Sequence, residues 1–154
     1  MNVLHYLLSG GIIFSVTAPW IFVVYWYMVE GKRNPPPTAV VWQWMLCVLG
    51  SYYMSFWTVT DDFRALTGVN VFFIYLCIYL YLGNKITPST AYALTFLDMW
   101  IVDFKRASEL IVMGENTFSN FFEGIGGAGI FDALCIYPFL AAILVRYVRW
   151  RRQA

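Results

Sequence analysis

Five long apolar stretches, separated by short breaks rich in charge, glycine or proline, dominate this sequence and leave few folds open to it. They cover about residues 3–29, 38–59, 66–82, 88–104 and 125–148. A helix of about 20 apolar residues is about 30 Å long, which matches the hydrocarbon thickness of a bilayer. Composition points the same way, with 60% hydrophobic and only 12% charged residues, where ordinary soluble domains carry roughly 25% charged residues. The expectation is an all-α, polytopic transmembrane helix bundle of about five spans, forming one multi-pass domain over residues 1–154 with the lipid bilayer as its first partner.

The breaks between the stretches carry recognisable signals. The first stretch is too long for a signal-peptide core and lacks a basic segment before it, so it is expected to be retained, with a kink at Pro19. Pro35, Pro36 and Pro37 cannot continue a helix and predict a stiff connector. Gly83-Asn84-Lys85 has the pattern of a helix stop, and Thr87-Pro88 that of a helix start. The fourth stretch is barely long enough to cross, so four spans are the alternative count, and its helix has room to continue past Lys105 and Arg106 toward Met113. Residues 105–124, where Phe118, Phe121 and Phe122 stand among polar residues, read as an interfacial segment.

Lysines and arginines choose between the two counts, because they concentrate in short cytoplasmic loops. With five spans and the N-terminus outside, Lys32, Arg33, Lys85, Arg146, Arg149, Arg151 and Arg152 fall inside, against Arg64, Lys105 and Arg106 outside. With four spans the same count is five against five. Five spans with a cytoplasmic C-terminus are therefore expected, with Lys32, Arg33 and the four C-terminal arginines as topology anchors and a bacterial inner membrane as the compartment. The net charge of +1 gives no field suited to nucleic acid. The terminal arginines, interleaved with Tyr147 and Trp150, fit an interfacial anchor better than a nucleic-acid tail.

Asp98 is the sharpest chemical feature, because a carboxylate inside an apolar helix is expensive unless it meets a partner, a cavity or water. Helical spacing puts Thr95, Lys105 and Glu109 on its face, forming a polar stripe. The stripe reads either as a proton- or ion-responsive site or as a contact that fixes helix packing. Asp103 points elsewhere and is expected to pair with Arg106. Asp132 opens the same question early in the last stretch, in reach of Asp98, Lys105 or Arg106 across a helix interface. Just before it, Gly124, Gly126, Gly127, Ala128 and Gly129 have the small-residue spacing that lets helices approach closely. A phosphate-cradling loop would need a preceding strand and a lysine, and neither is present.

Nothing in the sequence assembles a catalytic constellation. Cys47, Cys77 and Cys135 lie far apart in apolar runs and read as buried thiols, and His5 is the only histidine, so neither a metal site nor a cofactor is expected. Asp61-Asp62 is a single acidic pair, read as a solvated loop. The leading functional expectation is a noncatalytic subunit of a larger membrane complex for secretion, conjugation, respiration or transport, working through glycine-rich helix packing with other subunits or with its own copies. A holin-type permeabilising oligomer and a small proton-coupled carrier built on Asp98 and Asp132 stay open beside it.

Overall fold

A computed structural model describes residues 16–59, 64–112 and 133–153. Five helices account for most of it: α1 (Ala18–Trp26), α2 (Thr38–Tyr53), α3 (Val71–Tyr81), α4 (Pro88–Val112) and α5 (Ala133–Arg151). One antiparallel ribbon, β1 (Phe56–Val59) with β2 (Arg64–Thr67), stands between α2 and α3, pairing Phe56 with Thr67 and Val59 with Arg64.

The helix ends follow local chemistry. Pro19 stands in the first α-helical turn of α1, directly after Val16 and Thr17 in π-helical conformation, and the longer helix expected to kink there begins outside the described residues. After α1 the helix widens into a π turn over Tyr27–Gly31, and the three prolines carry the chain to Thr38. Gly83, at φ +89°, closes α3 in a Schellman motif: its N–H donates to Leu80 O at 3.1 Å, and that of Asn84 to Tyr79 O at 3.3 Å. Thr87 caps α4, its Oγ1 accepting from the Thr90 N–H at 3.1 Å.

The central element is α4, whose residues from Thr90 to Phe96 are all buried. Its Tyr92, Phe96 and Met99 face α1, where Trp20 meets Phe96 and Trp100 edge-on at 5.8 and 5.0 Å. Its Ala91 and Leu94 face a second cluster built from Val40 and Cys47 of α2, Phe72, Leu76 and Leu80 of α3, and Ala141 and Val145 of α5. Two indole N–H groups tie the packing together, Trp26 donating to Thr90 Oγ1 at 3.2 Å and Trp44 to Leu94 O at 2.9 Å.

The transmembrane expectation is overturned. Among the described residues, no helix is long and apolar enough to cross a membrane. With a rise of 1.5 Å per residue, the 11 residues of α3 reach about 17 Å and the 16 of α2 about 24 Å, against a hydrocarbon core of about 30 Å. The stretch over 38–59 is broken at Met54, where the chain leaves the helix for β1. The 25-residue α4 is long enough but carries Asp98, Asp103, Lys105, Arg106 and Glu109, and the 19-residue α5 carries Arg146, Arg149 and Arg151. The five-span topology, the outside N-terminus with a cytoplasmic C-terminus, and the inner-membrane location fall with the spans on which they rested. The continuation of α4 past Arg106 is found as expected, to Val112.

Candidate functional site

The first amides of a helix have no partner within it, and at α3 side chains supply two of them. Asn70 is the cap: its Oδ1 accepts from Phe73 N–H at 2.7 Å and its carbonyl from Ile74 N–H at 3.4 Å. The Val71 N–H donates to Ser51 Oγ of α2 at 2.9 Å, and the Ser51 hydroxyl in turn donates a hydrogen bond to Asp98 Oδ2 of α4, also at 2.9 Å. The Phe72 amide lies close enough to the Asp98 carboxylate to favour its charged form. Three helices thus meet at one polar knot, closed by Asn70 Nδ2 donating to Thr95 O at 3.4 Å.

Ser51, Asn70, Thr95 and Asp98 are all buried, and two of their atoms are left over: Asp98 Oδ1 and Thr95 Oγ1 have no hydrogen-bond partner. They stand one helical turn apart on the same face of α4. Burial raises the Asp98 carboxyl to about 7, while the hydrogen bonds from Ser51 and the Phe72 amide pull it down. The thiol of Cys47 is pushed up to about 11, first by burial and then by the Asp98 charge. A hydroxyl held 2.9 Å from a carboxylate is an arrangement met in nucleophilic catalysis, but here both groups are buried. What the knot can do is hold a proton.

The polar stripe expected along α4 divides into two unlike halves. Thr95 and Asp98 lie in the interior, whereas Lys105 is exposed and pairs with Glu109 at 3.7 Å instead of compensating Asp98. Glu109 also accepts from Tyr52 Oη and from Arg106 Nη1, the latter at 3.1 Å. Its burial raises its carboxyl, but the bonds from Tyr52 and Arg106 and the charges of Arg106 and Lys105 together hold it below the usual range. Asp103 is buried on α4, while the Arg106 expected to meet it turns toward Tyr52, Ser55 and Glu109. Asp132, Gly124, Gly126, Gly127, Ala128, Gly129, Asp61 and Asp62 lie outside the described residues.

The basic residues expected as topology anchors have individual roles. Lys32 sits 5.5 Å from the ring centre of Tyr27, while Arg33, Arg146, Arg149 and Arg151 are exposed. Arg152 reaches back to the end of α3, where Nη1 donates to Gly83 O at 3.1 Å and to Asn84 O at 3.3 Å and Nη2 donates to Leu80 O. Cys47 and Cys135 are buried as expected, but Cys77 is exposed. Among the described residues, no group of three or more histidine, cysteine, aspartate or glutamate side chains is placed to hold a metal ion.

Ser51 and Asn70 are the members of the knot that sequence reasoning missed. Asn70 stands just before the apolar run of α3, which is a helix-start signal. Ser51 gives no such sign, because its partner is 47 positions away. Comparison with protein-family models, with curated proteins and with solved structures gives no match.

Proposed function

We propose that this chain is a noncatalytic component of a larger assembly, acting by packing its apolar helix faces against other chains or against its own copies. The observation that carries this reading is the outer face of α2. Trp42, Leu46, Leu49 and Tyr53 recur at the spacing of a helix-packing seam and are exposed, at 63%, 67%, 56% and 79%. On α1, Ile21, Val24 and Tyr25 continue the same kind of surface, also outward. Burial of such a side chain contributes roughly 1.5–3 kcal/mol, and extended apolar surface of this kind marks interaction sites. The polar knot, whose groups are buried, supports a role without catalysis. The permeabilising and carrier readings both need spanning helices, and the described residues contain none long and apolar enough.

The test is the mass of the particle that a tagged chain forms when purified under mild conditions. The expected result is a defined complex well above the 17.8 kDa of one chain, with its partners or copies in fixed stoichiometry. A well-behaved 17.8 kDa monomer with an activity of its own overturns the reading.

A further inference from the structure

We propose that Asp98 is a proton-operated switch at the junction of α2, α3 and α4: with a proton on Oδ1 the junction packs closed, and loss of that proton loosens α3 from its two neighbours. The geometry supplies the reasons. Asp98 is sealed in the interior, and among the described residues no cation pairs with it, Lys105 and Arg106 both being committed to Glu109. A buried carboxylate in that position is costly unless it is neutralised. One oxygen, Oδ2, already accepts from Ser51, whereas Oδ1 has no partner. A proton there converts a stranded acceptor into a donor and removes the buried charge, and the Thr95 hydroxyl, one turn earlier on the same face, is likewise without a partner.

Among the described residues, the groups that α2 and α3 bring to Asp98 are uncharged. From α2 come the Ser51 hydroxyl and the Cys47 thiol, and from α3 the Phe72 amide. On α4 itself, Asp103 lies five residues further on. On α5 the titratable groups that reach the interior are Cys135, whose charge bears on Tyr92, and Tyr137, whose ring packs on Phe73. When the proton leaves to bulk water, the charge left behind is met only by Ser51 and the amide end of α3, and the junction must open to water to solvate it fully. The first turn of α3 is the element that responds, because the amides of Val71 and Phe73 are bonded to side chains of this knot and the Phe72 amide lies beside the Asp98 carboxylate.

The test follows the aspartate carboxyl signals of the full chain, with whatever partners it purifies, by carbon NMR across a pH titration, together with amide exchange at residues 71–73. One carboxyl is expected to titrate near pH 7 and to vanish in Asp98→Asn, and exchange at the three amides, corrected for its intrinsic pH dependence, should quicken across the same range. Ser51→Ala removes a donor to the charged form and should move the midpoint up by about one pH unit, a tenfold change in proton affinity. A midpoint that moves with the Ser51 hydroxyl is not the signature of a merely structural role, and it can be read even if Asp98→Asn does not fold. No aspartate titrating above about pH 5 in the unaltered chain, or protection at residues 71–73 that ignores the titration, overturns the proposal.

Discussion

Arg106 lies across the ring of Tyr52, its guanidinium 4.2 Å from the ring centre, and from there satisfies the carbonyl end of α2. Its Nη2 donates to Tyr52 O at 2.9 Å and to Ser55 O at 2.6 Å, its Nε to Ser55 Oγ at 3.0 Å, and its Nη1 to Glu109. A lysine keeps the charge but has neither the planar fork nor the stacking face. Arg106→Lys is therefore expected to destabilise the fold by about 2 kcal/mol, lowering the melting temperature by roughly 4–8 °C in thermal unfolding. An unchanged melting temperature would show that the stacked fork is dispensable.

The acidity of Asp98 predicts how stability varies with pH. The folded chain binds the Asp98 proton at about 7, against an ordinary value of 3.8, so the proton is held more tightly in the folded state. The stabilisation is fully present below about pH 4 and is lost as pH rises through about 7. A shift of this size corresponds to a few kcal/mol, from about 1.4 kcal/mol per pH unit. Glu109 acts in the opposite sense: its depressed carboxyl favours the folded chain above its ordinary 4.5, a contribution lost in acid. Denaturant unfolding at a series of pH values should find greatest stability on the acid side of neutrality, and Asp98→Asn should flatten the decline toward pH 8.

Gly68 allows the chain leaving the ribbon to pass close to Ser55. A Cβ at position 68 would stand 2.9 Å from Ser55 Cβ and 3.2 Å from its Cα, so the backbone there has to shift. Gly68→Ala should cost about 1–3 kcal/mol, as overpacking does. Because Ser55 is also bonded to Arg106, the cost should be non-additive with that of Arg106→Lys, which a double-mutant cycle measures. Simple additivity would separate the two sites.

The seam on α2 is tested by charging it. Leu46→Glu together with Leu49→Glu places two carboxylates on an exposed face, where the fold itself loses little. The helix content by circular dichroism should stay as it is, while the native mass drops toward that of a single chain. A complex of undiminished mass would move the interface to another face.

The parts of this fold legible in the sequence are those set by local chemistry. Thr87-Pro88 starts α4, Gly83 stops α3, and Asp98 stands out as a carboxylate in an apolar run, each from its immediate neighbours. The apolar runs themselves misled for a physical reason. A helix enclosed by other helices is apolar on all sides, as α4 is from Thr90 to Phe96, and by composition it resembles a helix enclosed by lipid. The ribbon escaped because Phe56, Trp57, Thr58 and Val59 extend an apolar stretch without interruption, although aromatic and β-branched residues in succession are a strand signal. The knot at Asp98 needed tertiary structure, since Ser51 and Asn70 reach it from other helices.

The two arginines that reach across to foreign helix ends, Arg106 to α2 and Arg152 to α3, have a consequence for how the protein comes apart. A helix that ends on its own side chains can fray and re-form by itself, whereas one whose carbonyls are held by a neighbour loses that hold as soon as the neighbour moves. Melting of α4 thus releases the end of α2, and melting of α5 releases that of α3. Cooperativity of this kind suppresses partial opening, and the five helices should exchange their most protected amides in a single global event rather than element by element.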